Sequence, residues 1–537
     1  MAERGVSGAP ISQEQGGDQA IARLPTGITA FVGRTMKGPL NAPVAVASFA
    51  EFQQVFGGLW QPAMLGYAVE QYFENGGRRA LIVRVANGAR PPSIALPAGA
   101  SALILAGLNP GSRENLRAAV DYDGIGALDG DRFNLVVQRV RVPGSELIEE
   151  QEIFRRLSIE EGAARYVGDV LAGSRLVRML AAAPRVRPDR TGSRPGGPLV
   201  GYVASGADGD DGAALTDYDV IGSAVRSTGL FALQGVGRFD LLCIPPLGRD
   251  RDVGLSTLLV AARFCRERRA LLVVDPPREW STAQVAVERL RLWPFRSENA
   301  LMFFPRIVAV DRLRNRPETF GSAAAGAGLI ARGDESLPVW MPAEAEDAIL
   351  RPALKISANV EEAERVKLAR AGVNTLLSAR SGSRTRLSPR TLAAESSGAS
   401  DWKYLAARRL ALFVVASIES GTRWLATASS KPEIWNRARE QVERFLAELA
   451  ENGAFAGSRP EDSYFVVCDE RVNRPDAVAA GEVNLLYGFA TTRPAEFHAW
   501  LNTYQAGQCR ARSVAVNRSA TSQDRVDWEI ETSILRS

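Results

Sequence analysis

Few residues in this 537-residue chain are of a type and spacing that could do covalent chemistry. There is a single histidine, His498, and it alternates with Phe497 and Trp500 in a run that reads as a strand. A serine hydrolase needs an imidazole to take the serine proton. A lone histidine next to two aromatics reads as a half-exposed strand position. The sequence has no Gly-x-Ser-x-Gly elbow and no Gly-x4-Gly-Lys-Ser/Thr phosphate loop. The glycines from Gly124 (Gly-Ile-Gly-Ala-Leu-Asp-Gly) have the wrong spacing for a dinucleotide loop and open no periodic helix. Four cysteines (Cys243, Cys265, Cys468, Cys509) lack the paired spacing of a zinc site and are too sparse for a disulfide scaffold. The best metal candidate is the acidic turn with Asp208, Asp210 and Asp211, although the spacing and closing glutamate of a calcium loop are missing. Arg185, Arg187, Arg190 and Arg194 could grip phosphate, but no aromatics interleave them, and a solvated loop is the simpler reading. No catalytic residue, metal site or cofactor is therefore expected.

The bulk numbers are those of a soluble, several-domain protein. Apolar residues make up 46% and charged residues 23%, and 65 basic against 61 acidic side chains leave a net charge of +4. A nucleic-acid binder would show a strong basic excess or stripe. The N-terminus has no signal-peptide core, and the longest apolar stretch, near Leu410 to Ile418, is far shorter than a membrane span. Synthesis and folding in the cytoplasm are expected.

Along the chain, residues 1–24 read as a flexible arm. From Ile28, ITAFVGR reads as a strand. Ser48 and Glu51 have capping-box spacing for a short helix that stops at Gly57-Gly58, and Pro62 opens a longer helix ending at Gly76-Gly77. RALIVRV then reads as a strand, so residues 25–90 begin a layered α/β unit. Residues 91–209 read as a β-rich outer insertion, in which RYVGDVLAGSRLVRML could form a strand or a helix. From 210 to 385 the α/β pattern returns. DLLCIP and ALLVVD are apolar runs expected of buried parallel strands, with a helix from Leu255 to Arg268 between them. A capping box at Ser281 and Gln284, one strand from Ala300 to Val310, a helix from Val360 to Ala371 and the strand VNTLLSA complete the unit.

Residues 386–537 form the last region. A long apolar helix from Asp401, a turn closed by Gly421 and a short strand-like piece precede a helix that opens at Pro432. In that helix Ile434, Trp435, Ala438, Val442, Phe445, Leu446 and Leu449 form one buried stripe. Strands are predicted at Tyr464–Cys468, Glu482–Ala490, Phe497–Tyr504 and Val526–Leu535. In the last, Val526, Trp528, Ile530 and Ile534 alternate with Asp527, Glu529, Glu531 and Ser533, a pattern able to add to the edge of another chain's sheet.

Several motifs resemble contractile tail sheath proteins of myophages and phage-tail-like contractile injection systems. They are AFVGRTMKGPLNAPVAVASFAEFQQVFGG, LGYAVEQYFENGGRRALIVRV and AGVNTLLSARSG. DWKYLAARRLALFVVASIESGTRW, PEIWNRAREQVERFLAELAENGAF and TTRPAEF follow in the same order. The resemblance implies a subtilisin-like layered α/β central domain without protease function, a β-rich outer insertion and an α+β C-terminal domain. It implies a structural subunit that stacks as hexameric rings around an inner tube and contracts to drive the tube through a target envelope. The implied partners are other copies of the chain, the inner tube protein and the baseplate and cap or terminator proteins, with no nucleic acid and no membrane insertion. Assembly would take place in the bacterial cytoplasm, and the product would be a phage tail or an injection particle.

Two features depart from the family. The first residues contain no alternating strand of the Gly-Val-Tyr-Val-Glu-Glu type, and the chain continues well past Pro-Ala-Glu-Phe. Altered linking strands are therefore expected, with Val526, Trp528, Ile530 and Ile534 as inter-subunit candidates. Lys431, Arg437, Arg439 and Arg444, on the polar side of the last helix, are candidates to face the tube; an ordinary solvated face is the other reading. A baseplate- or cap-proximal sheath paralogue and a serine hydrolase on a subtilisin-like scaffold are the alternative functions.

Overall fold

A computed structural model describes residues 20–192, 201–341, 350, 354–377, 388–393 and 401–514, together with the backbone of two strands at 516–518 and 528–530. Its centre is a seven-stranded sheet in the order Val373–Thr375, Ala300–Phe304, Leu271–Val274, Leu241–Cys243, Thr29–Gly33, Ala80–Arg84 and Val44–Val46. All its neighbours are parallel except the last pair, where Val44 lies against Ile82 and Val46 against Ala80. The middle strands are apolar and buried throughout, as expected of a parallel sheet covered on both faces. One face packs Leu255–Glu267, Ala283–Leu292 and Leu368 of the Glu362–Arg370 helix. The other packs Phe49–Phe56, Leu65–Glu74 and Ala323–Gly333.

Local chemistry explains the helix ends. The Ser48 hydroxyl accepts from the Glu51 amide at 3.1 Å, and the Glu51 carboxylate accepts from the Ala47 amide at 2.8 Å, one residue earlier than a regular capping box. Gly57 then takes φ 89°, which a side chain would resist. Three expectations shift. The helix expected from Pro62 begins at Leu65, because Gln61 and Pro62 form a turn closed by the Ala63 amide donating to the Trp60 carbonyl at 3.0 Å. Thr282, not Ser281, caps its helix, accepting from the Val285 amide at 3.2 Å. The strand expected from Ala300 to Val310 is two strands in different sheets, Ala300–Phe304 and Ile307–Asp311, because the chain leaves the parallel sheet at Pro305.

Strands from Ser93 to Ala204 form two antiparallel sheets with their own apolar core, including Leu96, Leu105, Phe133 and Leu135. RYVGDVLAGSRLVRML supplies both a helix, Val167–Ala172, and a strand, Val177–Met179. Charged side chains root this layer on the parallel sheet. Arg84 is 1% exposed and donates to the carbonyls of Gly38 (2.6 Å) and Pro110 (2.7 Å). Burial pushes its guanidinium down to about 10, against the pull of Glu114 and Asp211.

The last region is a helix pair on a four-stranded antiparallel sheet. Leu405–Gly421 and Pro432–Glu451 are the helices, and the piece between them is a 3-10 turn, Arg423–Thr427, not a strand. The first helix is wedged between two cores. Leu405 and Leu412 belong to the parallel-sheet core, while Leu410, Phe413, Val414 and Ile418 belong to the C-terminal one. Arg409 sits in this wedge, donating to both Asp334 oxygens at 2.7 and 2.5 Å. Burial opposes the Arg409 charge, but Asp334 holds its pKa above the usual value.

Replacing Arg409 with Met is expected to destabilise the protein by about 3–5 kcal/mol, because Asp334, 5% exposed, keeps a buried charge without its partner. Adding Asp334→Leu should restore most of the loss, as read by chemical denaturation. Equal losses in the single and double variants would contradict this.

Candidate assembly surfaces

The C-terminal sheet runs Tyr464–Val467, Val483–Ala490, Phe497–Gln505 and Gln508–Val514. Its second strand is buried at every residue. Leu485, Tyr487 and Phe489 face the helix pair, and Leu486 joins Val467, Leu501 and Val514 on the opposite side. The outer strands, Tyr464–Val467 and Gln508–Val514, each have one sheet neighbour, which leaves two edges with backbone groups facing outward, and on Gln508–Val514 the Ala511 carbonyl already accepts from Arg269 at 3.2 Å. Gln508–Val514 is a strand that the sequence reading missed. Ala506 (φ 49°) and Gly507 (φ 80°) form the two-residue turn between Gln505 and Gln508, and Gly507 was the available signal.

The chain continues from Val514 almost directly into Val516–Arg518, which pairs antiparallel with Trp528–Ile530. Of the four inter-subunit candidates, Trp528 and Ile530 thus lie on a strand, paired with Arg518 and Val516 of the same chain. Val526 and Ile534 lie outside the described residues. The strand expected over Val526–Leu535 is described only at Trp528–Ile530. This ribbon is a two-stranded sheet separate from the four-stranded one, and two-stranded ribbons are marginal without further partners.

The tube-facing candidates do not share one face. At 100° per residue, Arg437 and Arg444 fall on nearly the same side of the Pro432–Glu451 helix and Arg439 on roughly the opposite one. Arg437 lies over the Trp424 ring at 5.4 Å and is half-buried, as is Arg439. Lys431, at the helix start, and Arg444 are exposed. The arm expected to be free over residues 1–24 is anchored at its end. Ile21 is buried in the C-terminal core and Arg23 pairs with Glu448 at 2.7 Å; residues 1–19 lie outside the described residues. Gly421 makes this possible, since a Cβ there would run into Ile21.

The residues considered for chemistry are engaged in the fold. His498 places Nε2 3.1 Å from an Asp401 oxygen and its ring 4.1 Å from that of Trp402. Asp208, Asp210 and Asp211 diverge: Asp208 accepts from Ser93 (2.6 Å), Asp211 from Ser112 (2.7 Å), and Asp210 from the Gly212 amide (2.7 Å). Among the described residues no group of three His, Cys, Asp or Glu side chains is arranged to hold a metal. Arg187 lies 3.7 Å over Tyr122 and donates to the carbonyls of Asp129 and Arg132, and Arg190 faces Asp123 at 3.7 Å. Arg185 is exposed, and Arg194 lies outside the described residues. Burial raises the thiols of Cys243, Cys265, Cys468 and Cys509, which makes them poor nucleophiles.

No protein-family model matches the chain, and no curated protein matches it by sequence. Solved structures do match, over nearly the whole length of both partners. The sheath of an extracellular contractile injection system, PVC, in its contracted state is 15% identical over 89% of this chain and 91% of its own, with a TM-score of 0.52. The contracted helical sheath of the anti-feeding prophage is 15% identical over 92% and 97%, also with a TM-score of 0.52. A sheath tail protein from Listeria innocua is 10% identical over 92% and 98%, with a TM-score of 0.58. The chain therefore has the fold of contractile sheath proteins.

The Asp401 site gives a pH test. Burial pushes its carboxyl up, but hydrogen bonds from Thr492, His498 and Thr491 outweigh that and hold it below the usual range. Its folded pKa is depressed, so the stabilisation is present above the unfolded carboxylate pKa of about 3.9 and is lost as pH falls through the folded value. Asp401→Asn should lower the melting temperature at about pH 7, and the gap to wild type should shrink below about pH 4. A gap that does not change with pH would contradict it.

Proposed function

We propose that this chain is the structural subunit of a contractile tail sheath, polymerising as stacked hexameric rings around an inner tube and contracting to drive it through a target envelope. The observation that carries this reading is the sheath fold, which extends over about nine tenths of the chain and of the solved sheath proteins it matches. On this reading residues 25–90 and 210–385 make the subtilisin-like central domain, 91–209 the outer insertion and 386–537 the inner, ring-forming domain. The partners are further copies, the tube protein and the baseplate and cap proteins. The particle is assembled in the bacterial cytoplasm and serves as a phage tail or an injection device.

Physical chemistry supports the linkage. The two edges of the C-terminal sheet, Tyr464–Val467 and Gln508–Val514 (the latter with its Ala511 carbonyl held by Arg269), offer directional backbone hydrogen bonds to a strand from another copy, and the ribbon after Val514 is a strand source on the same chain. Links of this kind persist through a rigid-body rearrangement when the segment leading to them can bend. Energy for contraction would come from better packing between subunits, without nucleotide. The tube-facing role rests with Arg444 and Lys431, the exposed members of the proposed set, with Arg437 beside Arg444 on the same side of the helix.

Electron microscopy of the purified chain is expected to show sixfold rings or striated tubes, and a chain ending at Val514 should lose the tubes while keeping its helical circular dichroism. Tubes from the truncated chain would remove the linking role from the ribbon. Replacing Arg437 and Arg444 with Glu should leave sheath self-assembly intact and prevent co-assembly with the tube protein; unchanged co-assembly would count against tube docking.

A further inference from the structure

A cleft of about 1690 Å³ separates the outer layer from the central one. One wall is the connection over residues 36–40 with the helix Phe49–Phe56. The other is residues 108–115, the hairpin between Arg132–Val140 and Ile148–Ser158, and the turn at 173–178. Six basic and three acidic side chains line it, and the acids are all engaged. Glu114 and Glu150 hold Arg139 at 2.8 and 2.6 Å, Glu150 also lies 3.6 Å from Arg175, and Glu149 meets Lys37 across the gap at 2.7 Å. Arg178 turns its guanidinium to the carbonyls of Leu171 and Val177, which leaves its charge uncancelled.

Arg113 and Arg141 are exposed, and among the described residues neither guanidinium has an acceptor or a counter-ion. Asn115 fixes them side by side, its Nδ2 donating to both of their backbone carbonyls at 3.3 Å. A surplus of three positive charges between protein walls concentrates its field in the gap. Val142, Leu147 and Ile148, 51%, 63% and 46% exposed, belong to the same hairpin as Arg141 and line the same cleft. The Arg141 amide donates to the Leu147 carbonyl at 3.2 Å, which keeps the apolar residues next to the free guanidinium.

We propose that this cleft is a docking site for an acidic segment of a partner protein. Arg113 and Arg141 donate to its carboxylates, and Val142, Leu147 and Ile148 cover its apolar side chains. The occupant follows from the lining. The volume exceeds the roughly 300–1,000 Å³ of small-molecule sites. None of the lining residues is aromatic, so the bases of a nucleic acid have nothing to stack on. Unpaired arginines beside exposed aliphatic side chains fit a polypeptide that carries both carboxylates and apolar groups. The cleft shares no residue with the C-terminal sheet or the Pro432–Glu451 helix, so the assignment is independent of the sheath reading.

The test is binding of a fluorescein-labelled peptide of repeating Glu-Glu-Leu to the full chain, read by fluorescence anisotropy. The same peptide with glutamine for glutamate, and oligodeoxythymidylate, serve as competitors. The acidic peptide should bind and weaken as salt rises, and neither competitor should displace it. Arg113→Glu with Arg141→Glu should weaken binding roughly tenfold or more. Arg113→Lys with Arg141→Lys keeps the charge, should retain most of the affinity, and guards against a folding defect in the reversed pair. Arg289→Glu with Arg291→Glu makes the same charge change on exposed positions of the Ala283–Leu292 helix and should match wild type. No binding to wild type, an equal loss in the helix control, or an equal loss with lysine overturns the docking site. So does displacement by the glutamine peptide or by the oligonucleotide, the latter giving the cleft to a nucleic acid.

Discussion

The organisation of the molecule depends on one helix serving two cores. Leu405–Gly421 puts Leu405 and Leu412 against the parallel sheet and Leu410, Phe413, Val414 and Ile418 against the C-terminal sheet. A helix buried on both sides needs its charged groups paired, and this one pairs Arg408, Arg409 and Glu419 across the junction. Arg409 grips Asp334, Arg408 reaches Glu298 (2.9 Å) and Asn299 (2.5 Å), and Glu419 accepts from Arg269 (2.7 Å). Buried ion pairs are a poor source of net stability, but they penalise alternative placements of the helix. The two layers are thereby held at a fixed mutual geometry.

On the proposed sheath reading, that fixed geometry suits a subunit whose work is mechanical. A rearranging lattice needs bodies that move as units and links that bend between them. Within the described residues the bodies are tightly built. Thr422 closes the first C-terminal helix by donating to the Ile418 carbonyl and meeting Tyr504 at 2.6 Å, and Gln441 accepts from Trp424 at 3.0 Å. The available backbone valence lies at the sheet edges Tyr464–Val467 and Gln508–Val514 and on the ribbon beyond them.

Much of this was legible in the residues. The buried parallel strands announced themselves as continuous apolar runs, and the Pro432 helix through its apolar stripe, because burial on two faces or one leaves those patterns. The readings that failed turned on short-range competition. Arg423–Thr427 is apolar enough for a strand but closes a 3-10 turn against the helix pair. Gln508–Val514 went unseen because, as an edge strand with Arg510 and Arg512, it lacks an apolar run. The tube-facing set was drawn from charge alone. Charge does not reveal that Arg437 lies over Trp424, nor that Arg439 is on the other side of the helix. Likewise, the acidic turn at Asp208–Asp211 read as a metal candidate because the serine donors to Asp208 and Asp211, Ser93 and Ser112, are far away in sequence.

The central claim is that copies of this chain join by strand addition at the C-terminal sheet. A high-resolution cryo-EM reconstruction of the polymer expected from the full chain on the proposed reading tests it most directly. The account predicts continuous density in which a strand from one subunit, from the segment after Val514, lies hydrogen-bonded along Gln508–Val514 or Tyr464–Val467 of another. A lattice in which both edges stay open and that segment folds entirely on its own subunit would contradict it.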